Sequence, residues 1–116
     1  MSSEYHIKII SLENCPYSQS AKELVKNYKI ESKITDITRD EKDKFKTNNI
    51  QTFPQIYLKK YNKVDDLLLG GYNDLSNFVN EFYKKPYSES KVNDFMNKYK
   101  WSKKAVLRLI QLINIG

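Results

Sequence analysis

A chain of 116 residues, 40% apolar and 29% charged, suits one globular domain with its own core. Only 3 Gly and 3 Pro speak against a disordered or low-complexity polypeptide. No apolar run reaches the roughly 18 residues needed to cross a bilayer, and a single cysteine excludes an intramolecular disulfide. The net charge of +6 is unevenly placed: residues 1–85 carry 14 Lys and Arg against 12 Asp and Glu, residues 86–116 carry 6 against 2. A basic tail of this kind more often solvates a helix than meets nucleic acid, and no nucleic-acid partner is expected. The start, MSSEYHIKIIS, lacks a basic n-region and a long apolar h-region, so a reducing, cytoplasmic location is the expectation.

HIKIIS (6–11) is short, Ile-rich and alternating, as a buried strand is. From Pro16 to Tyr28 the residues Tyr17, Ala21, Leu24, Val25 and Tyr28 recur at helical spacing, and Pro16 suits a first helical position. KITDIT (33–38) is a β-branched strand candidate, and RDEKDKFKTNN (39–49) reads as a short exposed helix. TFPQIYLKK (52–60) and VDDLLLG (64–70) flank the polar turn YNK as the arms of a hairpin. Asp65 and Asp66 read as a solvated face. Asn73 and Asp74 are candidate caps for a helix with Leu75, Phe78, Val79 and Phe82 on one face. The order β-α-β-α-β-β-α gives an α/β domain over residues 1–85, with a parallel pair first and antiparallel strands after it.

After the connector KKPYSES (84–90), Val92, Phe95, Met96 and Tyr99 repeat the helical pattern, and SKKAVLRLIQLINIG forms a final helix apolar on more than one face. Residues 86–116 are thus a basic helical extension that packs on the domain or serves as an interface, leaving a monomer or a dimer through these helices. A membrane-surface contact is a third use for them. Trp101 is expected to anchor them, and His6, without metal-ligand company, to be structural.

Cys15 falls between the first strand and a helix opening at Pro16. There a thiol meets unpaired backbone N–H groups and the positive end of the helix dipole, and both favour thiolate. The competing reading is a small buried hydrophobe. Other loops break the tie. Proline at Thr52-Phe53-Pro54 is tolerated only at a strand's edge or start, and a cis bond there would turn the Phe53 N–H and C=O outward. Such a backbone pair binds an extended peptide as an added strand would. Gly71-Tyr72-Asn73-Asp74 opens a helix N-terminus suited to a carboxylate. Three loops would ring one thiol.

CPYS, TFP and GGYND, in this order and at these intervals, resemble the glutaredoxin family of the thioredoxin superfamily over residues 5–83. The resemblance implies a thioredoxin fold, a four-stranded mixed sheet flanked by helices, here with a C-terminal helical extension. It implies glutathione as co-substrate and glutathionylated proteins as partners. By the same resemblance Cys15 is the nucleophile, supported by Pro16 and Ser18. Tyr17, Thr52, Phe53, Pro54, Gly71, Tyr72, Asn73 and Asp74 would hold glutathione, and Arg39, Lys42 or Lys46 its glycine carboxylate.

Three features depart from the family pattern. Leu12 stands where members usually carry a lysine, Phe53 stands where valine is usual, and residues after Tyr83 lie outside the family core. Ser18 occupies the place of a second cysteine. A serine cannot attack sulfur, so a monothiol cycle through Cys15 remains, in which a second glutathione resolves the adduct. The alternatives are a [2Fe–2S] cluster held by Cys15 of two subunits with two glutathiones, and a degenerate, non-catalytic interaction module. Cluster-binding members typically carry CGFS, and Pro16 would oppose that loop geometry. Apart from such a cluster, no metal is expected.

Overall fold

The computed structural model describes residues 4–61 and 66–115. Strand β1 (Tyr5–Leu12) leads into α1 (Pro16–Asn27) and then β2 (Ser32–Ile37), which lies parallel to β1 with Ile7 opposite Ser32 and Leu12 opposite Ile37. A 3-10 turn (Arg39–Glu41) and the single-turn α2 (Lys42–Phe45) follow. β3 (Gln55–Lys60) returns antiparallel to β1, and β4 (Asp66–Gly70) antiparallel to β3, giving the order β2-β1-β3-β4. Helices α3 (Tyr72–Phe82), α4 (Glu89–Tyr99) and α5 (Lys103–Ile113) complete the chain. This is a thioredoxin-like fold with two additional C-terminal helices.

Side-chain alternation along β1 divides the interior in two. Ile7 and Ile9, with Ile56, Leu58 and Leu69, face a core completed by Ala21 and Val25 of α1 and Leu75, Phe78, Val79 and Phe82 of α3. The same core contains Val92 and Trp101 and five residues of α5: Val106, Leu109, Ile110, Leu112 and Ile113. The extension therefore packs on the domain and shares one apolar interior with it. Ring contacts knit the seam: Phe95 stands edge-on to Phe78 at 5.3 Å, and Trp101 stacks on Tyr99 at 4.6 Å. Ser88 caps α4 and Ser102 caps α5, each hydroxyl accepting an N–H from the first turn. Lys100, in the left-handed conformation at φ 59°, closes α4.

The opposite sheet face carries His6, Lys8, Ile10 and Leu12 of β1. Ile10 and Leu12 join Ile37 in a second, smaller apolar cluster against Phe45, Phe53, Tyr57 and Cys15. Farther along, Asp66 accepts from Lys59 at 2.7 Å and from Lys8 at 3.2 Å.

The structure corrects several expectations. Thr52, Phe53 and Pro54 precede the strand, which begins at Gln55. Helix over 39–49 is limited to residues 39–45: α2 holds a single apolar residue, Phe45, and Thr47 folds the chain into a turn by bonding Ile50. Gly71, not Asn73 or Asp74, caps α3, and Asp74 sits in the first turn. Asp66 is no solvated face, since its side chain is only 18% exposed between two lysines. The strand pairing 64–70 is described from Asp66 onward, so Val64, Asp65 and most of the YNK turn lie outside the described residues. His6 is buried and packs against Tyr61 with the rings tilted and their centres 4.3 Å apart, and no helix among the described residues is long and apolar enough to cross a membrane.

Candidate active site

The first loop of the site is set by the end of the parallel ladder. Glu13 N–H donates to the Ile37 carbonyl at 3.0 Å, extending the β1–β2 pairing one step past Leu12. Asn14 then takes a left-handed φ of 54°, a conformation asparagine tolerates better than most residues, and turns the chain into α1. Cys15 is the residue that caps α1, in extended geometry, with Pro16 the first helical residue. Its thiol makes no capping bond; it lies 3.8 Å from the Phe53 carbonyl, to which the S–H donates.

Ionisation would reverse that preference, because a thiolate accepts hydrogen bonds. Burial pushes the Cys15 thiol up, yet the Ser18 hydroxyl, the N–H groups of Ser18 and Tyr17, and the Arg39 charge outweigh it. The net effect holds Cys15 below its ordinary value. Ser18 itself is buried at 1% exposure, and its oxygen accepts the Leu12 N–H at 3.1 Å. One hydroxyl thus satisfies the end of β1 while its proton is free to serve the sulfur.

The second loop arrives through a cis peptide bond between Phe53 and Pro54. It places the Phe53 carbonyl beside the thiol and the Phe53 ring in the small cluster with Leu12. Leu12, 8% exposed, is apolar because it floors this cluster. The third loop is Gly70-Gly71. Gly70 has φ 125°, a region that favours glycine, and a side chain there would run into the Asp74 carboxylate. Asp74 Oδ2 reaches back to accept the Gly71 N–H at 2.8 Å. A Cβ on Gly71 would stand 3.8 Å from the Pro54 carbonyl oxygen, so the second and third loops lie side by side. Tyr17, 58% exposed, and Tyr72 approach to 6.4 Å between ring centres.

Most residues singled out in the sequence therefore converge: Cys15, Pro16, Tyr17, Phe53, Pro54, Gly71, Tyr72 and Asp74. Thr52 and Asn73 sit on the same two loops, exposed. Of the three candidate cations, Arg39 reaches the first loop, its Nη2 donating to the Asn14 carbonyl at 3.1 Å. Lys46 pairs with Asp43 at 3.1 Å within the α2 region. Lys42 is on α2, partly buried.

Sequence reasoning missed a further wall. A groove of about 610 Å³ beside Cys15 is lined by Glu13, Asn14, Gln19, Lys22 and Asp36, with Lys22 bonded to Asp36 at 3.0 Å. The signal was available: Asp36 lies opposite Ser11 once β2 is placed parallel to β1. Such an arrangement offers a solvent-reachable sulfur, a ready backbone acceptor, and helix N-termini on two sides.

Residues 7–61 match the family model for glutaredoxin. Among solved structures, glutaredoxin 1 from Francisella tularensis, crystallised with cacodylate, is 26% identical to the chain. That similarity covers 66% of this chain and 93% of that one, with a TM-score of 0.53. No curated protein matches the sequence.

Proposed function

This chain belongs to the glutaredoxin family of thiol–disulfide oxidoreductases, and on that premise we propose that it reduces protein–glutathione mixed disulfides through Cys15 alone. One observation carries the reading: the lone cysteine stands at the N-terminal cap position of α1, with the Phe53 carbonyl, Tyr17 and the Gly71 corner gathered around it.

In this cycle the Cys15 thiolate attacks the glutathione sulfur of a glutathionylated protein. A new S–S bond joins Cys15 to glutathione, and the protein thiolate leaves and takes up a proton. Glutathione in its thiolate form then attacks the glutathione sulfur of the adduct. Oxidised glutathione departs, formed from the glutathione the substrate carried and the one added, and Cys15 regains its electron pair, so each turnover consumes one free glutathione as reductant. The helix terminus stabilises Cys15 as attacking and as leaving thiolate, so both half-reactions draw on the same N–H groups.

In the bound tripeptide the Phe53 backbone would pair with the cysteinyl residue as an added strand. Tyr17 and Tyr72 would flank it, and the first turn of α3, with Asn73 and Asp74, would receive its γ-glutamyl end. The exposed Thr52 would border the same strand-like contact. A reducing compartment such as the cytoplasm follows from this reading, because the cycle needs a glutathione pool.

The test is release of glutathione from a glutathionylated model protein, followed with excess glutathione. Wild-type protein is expected to turn over, and Cys15→Ser to fall to the uncatalysed rate, a loss of at least about a hundredfold. Equal rates for the two proteins would end the proposal.

A further inference from the structure

We propose that Arg39 is the positioning residue of this site: it holds the Asn14–Cys15 peptide in place and supplies the positive charge that Leu12 cannot. The inference rests on Cys15 being the nucleophile proposed above.

Two bonds join the segment after β2 to the loop before α1. The Arg39 guanidinium donates to the Asn14 carbonyl at 3.1 Å, and the Arg39 backbone N–H donates to the Glu13 carboxylate at 2.6 Å. They hold neighbouring residues of one loop from opposite ends. The loop turns sharply here, because Asn14 has φ 54° and lies outside both β1 and α1. The Asn14 carbonyl belongs to the peptide whose nitrogen is that of Cys15, so the guanidinium grips the bond immediately before the sulfur-bearing residue.

The electrostatic half follows from which charges cancel. Glu13, Lys22 and Asp36 line the groove beside Cys15, and Lys22 pairs with Asp36 at 3.0 Å. Across the thiol, Asp74 spends an oxygen on the Gly71 N–H. Lys46 is paired with Asp43. Arg39 donates to a neutral carbonyl, and its guanidinium is engaged in no ion pair among the described residues. A guanidinium keeps its charge at every working pH, so a steady positive potential reaches the sulfur from this side. Leu12 is committed to the apolar cluster under Phe53, so a cation there would have to leave that packing.

The experiment titrates Cys15 in the full-length protein by ultraviolet thiolate absorbance and measures alkylation by iodoacetamide, with no glutathione present. Arg39→Gln is expected to raise the titration midpoint and slow alkylation at neutral pH about threefold. Arg39→Lys is expected to recover most of that loss. Added salt should move the wild-type midpoint upward and leave Arg39→Gln nearly still. Identical midpoints, rates and salt responses in wild type and Arg39→Gln, with melting unchanged, would overturn the proposal. An Arg39→Lys protein indistinguishable from Arg39→Gln would overturn its electrostatic half. If these shifts appear while the deglutathionylation assay fails, the proposed function falls and the role of Arg39 stands.

Discussion

The two faces of the sheet are built by different means. One is covered by α1, α3 and the C-terminal pair α4 and α5, and is held by apolar burial with Phe78, Phe82 and Leu109 at 0% exposure. The other carries α2 and the site loops at one end and, at the other, a polar lattice of His6, Tyr61, Lys8, Lys59 and Asp66. Stability should therefore reside on the helical face and adjustable chemistry on the polar one. That division is open to attack from both sides.

The largest effect should come from removing residues 86–116. Their loss uncovers Phe78 and Phe82 and deletes Val92, Trp101, Val106, Leu109, Leu112 and Ile113 from the core. Several buried side chains at about 2–5 kcal/mol each exceed the 5–15 kcal/mol total of a small domain, so the cooperative thermal transition should disappear. Circular dichroism melting checks this, and a truncated chain that melts like the full one would show that stability does not reside on the helical face.

Asp66→Asn should cost less, about 1–2 kcal/mol at neutral pH, by weakening the bonds from Lys59 and Lys8. Burial alone would raise the Asp66 carboxyl, but those bonds and charges hold it below its ordinary value of 3.8. A depressed carboxylate stabilises the fold above pH 3.8, and that contribution fades as pH falls toward the folded value. Urea denaturation in acid should thus show a steeper loss in wild type than in Asp66→Asn.

The smallest effect belongs to His6. Burial, with Lys33 and Lys59, lowers its proton affinity below the ordinary 6.5, against Glu31 and Asp66, which raise it. Below pH 6.5 the unfolded chain takes up a proton the folded one refuses, so stability declines until the folded value is passed. His6→Phe keeps a ring against Tyr61 and removes the buried Nδ1, which has no partner among the described residues. It should flatten the slope just below pH 6.5 in the same denaturation series.

Legibility followed the same divide. Periodicity placed α1, α3, α4 and α5 from the spacing of residues such as Leu75, Phe78 and Val79, because a helix face is written locally. Loop chemistry located Cys15, Phe53-Pro54 and Gly71 for the same reason. The polar face resisted reading, because Lys8 and Asp66 are 58 residues apart and meet only through strand pairing. Arg39 was one of three equivalent cations until the parallel register brought it to Asn14. The start of β3 was misplaced by three residues because Thr52 and Phe53 have strand-like composition yet belong to the turn that the cis bond creates. The cap of α3 went to Asn73 and Asp74 on propensity, whereas the backbone places it at Gly71, whose N–H the Asp74 oxygen accepts from the first turn.

Because Ser18 accepts the buried Leu12 N–H, its seat is already taken by a tenant that the strand end depends on. Sulfur is a weak acceptor, so installing a second thiol there would loosen β1 in order to gain a resolving partner for Cys15. Conversion to two-cysteine chemistry is then more than an exchange of one atom: it asks the last residue of β1 to find a new anchor.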